Sequence, residues 1–571
     1  MRTAIGAAAV LAAAALLTAA AAGASGSRVP RLPARTLPPP PLMDGIGTSR
    51  LPISTESELA QKYFDQGVNL LHCYWDFEAY RAFREVLRLD EDAAMGYWGL
   101  YMSLAYNQAE HSDERLQALY RAIALAPSAS QRERRYVRAI ERLNELGGAE
   151  GQRAFIDEME ALIAAYPKDL EAELFLIKFL ITDAAGSFLD PDRGVGTGFD
   201  RARARLRPLL ESHPDSLAVH HYWIHAHEHG SEPEAALVSA RKIPTLAPKS
   251  GHILHMPGHI FYKVGDYEGA YRAFHASLDF DREYLREQGI EPVDDWNYVH
   301  NLDYLVINCA EDGRYREGRK WAEVLAGLPV HHGRGHAVGL GFVIYGGHTA
   351  LARLHMRYGR WQAAAESLAA SLESSSFPSQ HGADYFRGLL AYTRGMAAVQ
   401  RGDAAAAGQA FQEILGLSMA QREQHAELGS DWYFDVSRRV LAIASMELGG
   451  VLASSQGRHD QAIQFLQQAI AAEDQLGYGE PPHVTRPVRE SLAVAYLRAG
   501  RWQDARRTFE QVLDERPNSG HAWYGIAKSH QLAGETAEAR AAFEQFLEAW
   551  KNGDDDLDEI KDARAFLAAR P

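Results

Sequence analysis

A punctuation recurs along this chain: a glycine, then a small residue, almost always alanine, five positions later. It reads Gly265-Asp-Tyr-Glu-Gly-Ala270, Gly359-Arg-Trp-Gln-Ala-Ala364, Gly457-Arg-His-Asp-Gln-Ala462 and Gly500-Arg-Trp-Gln-Asp-Ala505. Gly230 to Ala235, Gly402 to Ala407 and Gly534 to Ala539 keep the spacing, and Gly313 to Gly318 keeps it with glycine in the last place. From Glu56 onward the residues between these marks are apolar at helical spacing, with no strand pattern. A glycine that ends one helix in a left-handed conformation, and an alanine that lets the next helix approach, together describe a helix–turn–helix unit. An aromatic four residues after the alanine, as at Phe509 and Phe543, fills the space between neighbouring units.

Gly500 and Gly534 are 34 residues apart and Gly230 and Gly265 are 35 apart. With Ala505, Phe509 and Pro517 in sequence, the pattern resembles the tetratricopeptide repeat (TPR) family, whose unit is 34 residues long. The resemblance covers residues 56–550 and is degenerate between 92 and 215, where helical runs persist but the punctuation fades. Glu56 to Asp92, with Gly67, Ala79 and Phe83, is the first unit, although Glu91 stands where the closing proline would fall. The expected fold is all-α: a TPR-like solenoid of helix–turn–helix repeats forming a superhelix with a concave groove. At 571 residues the chain is too long for one ordinary core, and a repeat array accommodates that length.

Outside the repeats, Met1-Arg2 followed by the alanine-rich run to Ala22, with small residues at Ala22-Gly23-Ala24, reads as a signal peptide over 1–24. A periplasmic or secreted protein is expected, with no membrane span after cleavage. Residues 25–54, containing Pro38 to Pro41, read as a proline-rich spacer. The remaining boundaries are 55–215 for N-terminal degenerate repeats, 216–372 for central repeats, 373–551 for C-terminal repeats, and 552–571 for an acidic turn and end helix. A formal net charge of −16 argues against a nucleic-acid partner, which would require a basic stripe. Cys73 and Cys309, far apart and each in an apolar pattern, read as buried thiols and exclude a disulfide framework.

The central repeats carry the functional signal. Of 24 histidines, 17 lie between His213 and His381. Counting back from each punctuating glycine, taken as position 15 of the unit, gives the register. His252, His255, His259 and Tyr262 then fall at positions 2, 5, 9 and 12; His220, His227 and Glu228 at 5, 12 and 13; His300 and Asp303 at 2 and 5. The resemblance implies that these positions face the groove, so these nine residues are the candidate ligand-binding set. His220, His255 and Asp303, sharing position 5, are expected to be neighbours. Imidazoles on one helical strip could hold a divalent transition metal, contact an acidic ligand, or form a buried hydrogen-bonded network.

His255-Met-Pro-Gly-His-Ile260 and Arg486-Pro-Val-Arg-Glu-Ser491 also resemble a subset of bacterial exported TPR proteins carrying His-Met-Pro-x-His-Ile, which brings no established activity with it. His225-Ala-His-Glu228-His229 matches the His-x-x-Glu-His zinc-protease pattern, yet the register puts His225 and His229 at positions 10 and 14, off the strip. Gly194-Val-Gly-Thr-Gly198 has neither a preceding strand nor a following Gly-Lys-Ser/Thr, so a flexible insertion over 183–200 replaces a phosphate loop there. His331 to His336 reads as a long loop, and Asp190-Pro-Asp192 lacks calcium-loop spacing. The first functional expectation is a scaffold that binds a protein, peptide or small ligand in its groove, without catalysis. The alternative is a metal-binding protein or metal-dependent enzyme built on the central histidines.

Overall fold

The computed structural model describes residues 39–104, 112–186, 196–292, 295–328, 342–374, 380–428 and 432–569. The signal peptide, the start of the spacer, half of the 183–200 insertion and the loop around His331 to His336 lie outside these residues. Within them the chain forms 25 α-helices and no strand. The fold is an all-α solenoid of helical repeats, and successive helices pack antiparallel as pairs. No helix among the described residues is long and apolar enough to cross a membrane.

The punctuation does the work assigned to it. Gly265, Gly313, Gly359, Gly402, Gly457, Gly500 and Gly534 all take φ between +62° and +81°. Gly230 does not, and the chain after it turns through a short 3-10 helix, Pro233–Ala236. Close helix approach uses further glycines: a Cβ on Gly258 would lie 2.3 Å from the Phe274 ring, so the aromatic of the second helix seats directly on the first. Cys73 and Cys309 are both buried and free.

Five helices frame the histidine-rich centre: α1 (Glu58–His72), α2 (Leu217–Glu228), α3 (Gly251–Lys263), α4 (Tyr267–Gln288) and α5 (Trp296–Glu311). Ser216 caps α2 through its hydroxyl, and Asp295 caps α5 by accepting from the backbone of Asn297 and Tyr298. Pro257 lies inside α3. Its missing N–H leaves the Ile253 carbonyl, one turn earlier, without its intrahelical donor.

Two stretches depart from an open superhelix. Residues 39–54, expected to be unpacked spacer, lie along α1: Ile46 and Leu51 are buried, and the backbone of Met43 and Ser49 donates to Gln66 and Asn69 at 2.8 Å each. The C-terminal repeats, in turn, fold back onto the central ones. Tyr267 donates to the Pro517 carbonyl at 3.0 Å, Asn518 to the Gly265 carbonyl at 3.2 Å, and Trp550 to the Glu311 carbonyl at 2.7 Å. Between them Arg357, wholly buried, bridges Glu311 at 3.0 Å and Glu490 at 2.8 Å, while Arg516 reaches Glu311 at 2.6 Å. The C-terminal repeats therefore pack against the ends of the central ones.

Candidate metal centre

Each framing helix delivers its side chains through helical spacing. His221, His225 and Glu228 come from α2, three to four residues apart and thus on one face. His252, His255 and His259 repeat that spacing on α3, and His300 enters from α5. These seven are all buried, at most 7% exposed.

The rings gather into two sets. In the first, ring nitrogens of His221, His225 and His252 lie within 4.8 Å of one another. In the second, the same holds for His255, His259 and His300. What distinguishes these sets from an ordinary buried network is where the protons must sit. His221 Nδ1 is 2.6 Å from the His72 carbonyl oxygen, which can only accept. His225 Nδ1 meets a Glu228 carboxylate oxygen. His252 Nδ1 is 3.1 Å from Asn297 Oδ1, and the orientation of that amide is set by its Nδ2 donating to Asp281 at 2.9 Å. In each ring the proton is on Nδ1, and in a neutral imidazole Nε2 is then a bare acceptor. Nevertheless His221 Nε2 and His225 Nε2 face each other at 3.0 Å, and His252 Nε2 has no hydrogen-bond partner. Acceptors pointed at one another in a buried site call for a cation between them.

A second proton is disfavoured on most of these rings. Burial, reinforced by neighbouring rings, pushes His221, His252, His255 and His300 well below the ordinary imidazole range, and burial also lowers His259. A late first-row ion suits three imidazoles far better. Zn–N bonds of about 2.0–2.1 Å place two tetrahedral ligand nitrogens roughly 3.3 Å apart. The 3.0 Å separation of His221 and His225 is close to that value. Hydrogen-bonded Nδ1 atoms of this kind are the outer-shell contacts that fix ligand rings toward a metal.

Glu228 joins the two sets. One of its oxygens accepts from His225 Nδ1 and the other lies 3.0 Å from His259 Nδ1. Burial alone would raise its pKa, but His225 and His259 overcome this and hold the carboxyl well below the usual carboxylate range. Glu480, from the loop leading into the helix Val488–Arg498, approaches within 4.0 Å of His259 Nδ1. Burial and the nearby Glu228 push Glu480 well above its ordinary value. Glu228, His259 and Glu480 form a third, overlapping group that shares His259 with the second set. Tyr74, just past α1, covers the first set: its ring stacks on His225 at 4.8 Å and on His252 at 5.6 Å, and meets His221 edge-on at 4.9 Å. Its backbone is left-handed, with φ of +55°. A bulky residue held there is strain of the kind that concentrates at functional sites.

Of the nine residues expected to line a groove, Glu228, His252, His255, His259 and His300 come together, but in a sealed interior instead of an open strip. The other four go elsewhere. His220 turns to Ser239 at 2.8 Å and to the Pro214 carbonyl at 2.7 Å. His227 packs on Trp223 with ring centroids 4.3 Å apart. Tyr262 is buried against Tyr267 and Tyr304. Asp303 pairs with Arg353 at 2.5 Å, so the expected neighbourhood of His220, His255 and Asp303 does not form. His225, placed off the strip by the register, is in the first set, and so is His221, which the register passed over. The signal for both was present: His221 and His225 repeat the four-residue spacing of His255 and His259. His229, by contrast, approaches the His225 carbonyl at 3.2 Å and stacks on Phe199, outside both sets. The zinc-protease pattern thus supplies one ring to the first set, not two.

Comparison with known proteins bears on the surrounding frame. A tetratricopeptide-repeat family model matches residues 349–422 and 491–554, and a second matches 440–516. These C-terminal units are similar to tetratricopeptide repeats. The matches do not extend to α2, α3 or α5. No curated protein matches the chain. Among solved structures, a tetratricopeptide repeat protein from Parabacteroides merdae ATCC 43184 shares 17% identity, over 56% of this chain and 97% of that one, with a TM-score of 0.27. The APC/C hetero-tetramer Cut9-Hcn1 shares 13% identity over 89% of this chain and 96% of that chain, also at 0.27. At that score no residue of either structure is equated with one here.

Proposed function

We propose that this protein binds a divalent transition metal in the buried histidine centre of its repeat array. The observation that carries the reading is the pair His221 and His225: both Nδ1 protons are committed to acceptors, and the bare Nε2 atoms face each other at 3.0 Å beside the unpartnered Nε2 of His252. Three imidazoles leave a coordination position open, the arrangement that separates reactive metal sites from closed structural ones. Elemental analysis of the full chain, purified without chelators or a histidine tag, tests the reading. Stoichiometric zinc, copper, nickel or iron is expected. A metal-free protein that also takes up none from solution would overturn it.

We also propose export, as the alanine-rich start suggests. N-terminal sequencing of exported protein should begin near Ser25, and an intact Met1 would contradict it. A second role is supported by the tetratricopeptide match over 349–554: contact with a protein or peptide partner through the C-terminal repeats. Cross-linking should then map partner contacts to those helices; contacts confined to residues 55–215 would count against it.

A further inference from the structure

The geometry points to two metal ions in this centre, one in each trihistidine set. The inference rests on the metal-binding reading and extends it to a paired site for late transition-metal dications. The second set repeats the logic of the first with different atoms. His255 Nδ1 is 2.8 Å from Asn301 Oδ1, and the Asn301 amide cannot be turned, because its Nδ2 donates to the Phe274 carbonyl at 2.7 Å. His259 Nδ1 faces the Glu228 carboxylate at 3.0 Å. His255 Nε2 is therefore bare, and it stands 2.5 Å from the Nε2 of His259, whose own Nδ1 lies beside a carboxylate that can only accept. Two acceptors that close repel each other unless a cation lies between them. A metal there would open the pair by less than 1 Å, toward the roughly 3.3 Å of tetrahedral ligands.

A single shared ion does not meet these demands. The sets have no residue in common, and each has its own outer-shell acceptors: the His72 carbonyl and Asn297 for the first, Asn301 for the second. The sets are nonetheless adjacent. His252 and His255 are one turn apart on α3, with ring centroids 6.0 Å apart, and Glu228 contacts one ring of each set. This makes the pair one centre, tied by a shared carboxylate outside the ligand shell, as outer-shell groups tune the metals they surround.

The test is stoichiometry on the full chain, stripped with chelator, loaded with zinc and desalted. Two zinc ions per chain are expected. His221→Asn with His225→Asn should retain one, and so should His255→Asn with His259→Asn. His229→Gln, the other half of the zinc-protease pattern, should retain two. One ion in the wild type, lost only with His221 and His225, would overturn the pair and leave the metal-binding reading standing; no ion at all would sink both. Loss of an ion on Glu480→Gln, with His300→Asn unaffected, would move the second ion to the Glu228, His259 and Glu480 group and overturn the trihistidine assignment. Should the double variants fail to fold by circular dichroism, the wild type alone decides. Loaded with copper(II), it should give a spin-coupled paramagnetic resonance signal integrating to fewer than two spins per chain. A single full-intensity signal, or two uncoupled ones, would overturn the paired centre.

Discussion

The central and C-terminal repeats share one frame and fill it differently. Around Gly457, Gly500 and Gly534 the helix pairs close over alanine, leucine and phenylalanine, with Ala462, Leu466, Ala505, Phe509, Ala539 and Phe543 buried. Around Gly265 and Gly313 the turns are the same and Phe274 seats on Gly258 in the same way, but the first helices bury His252, His255, His259, Asn297, His300, Asn301 and Asp303. Family models match the first kind of repeat and pass over the second. The backbone frame of a solenoid therefore tolerates a polar interior, provided each buried nitrogen and oxygen is given a partner. In the C-terminal half, area removed from water supplies the stability; in the central half, hydrogen bonds must supply part of it.

Removing metal should separate the halves most sharply. A ligand present at a thousand times its Kd stabilises the folded form by about 4 kcal/mol for each site. Chelation should lower the melting temperature of the full chain by many degrees, with hydrogen exchange rising first in α2, α3 and α5. Equal loosening of both halves would remove the contrast.

The next largest effect lies at the seam. Arg357→Ala would leave Glu311 and Glu490 buried without their shared partner, which costs about 3–5 kcal/mol. Burial would raise the Glu311 pKa, but Arg357 and Arg516 hold it down to about 2. A carboxylate so depressed contributes stability that is present above its unfolded value and is lost as pH falls toward 2. The wild-type seam should accordingly persist in acid where the Arg357→Ala seam has opened, as read by urea unfolding between pH 3 and 7. Identical acid profiles would mean the seam is held by something other than this network.

Two glycines give the smallest and most exact comparison. Gly457 has φ of +73° and open space around its Cβ position, whereas at Gly265, with φ of +78°, a Cβ would lie 2.3 Å from the Pro517 carbonyl oxygen. Gly457→Ala should cost about 1–2 kcal/mol for the left-handed backbone alone. Gly265→Ala should cost more and loosen the contact between the halves. Equal costs in denaturant titrations would show that the contact at Pro517 gives way freely.

The frame was legible because glycine, alanine and aromatic positions are imposed by backbone geometry, which leaves a residue-level mark. The site was legible on α3 and α5, where Gly265 and Gly313 end their helices in the left-handed conformation that the register assumes. It failed on α2. Gly230 does not take that conformation and leads into a 3-10 turn, so a count back from it is off by one residue. With the count corrected, His221 and His225 fall where His255 and His259 fall on the next repeat. Tyr74, His72 and Glu480 left no mark in the repeat at all, since they reach the centre through long-range packing from outside it. The contact between the central and C-terminal repeats had no sign in the sequence, because a repeat rule describes neighbouring units and is silent on units that meet across the superhelix.

That meeting has a kinetic consequence. Glu480 approaches His259, while Pro517 and Trp550 hold Tyr267 and Glu311, so the C-terminal repeats close over one side of the central ones. For the metal proposed here, uptake by chelator-stripped protein should be slower than ion diffusion, because side chains this buried must first be exposed.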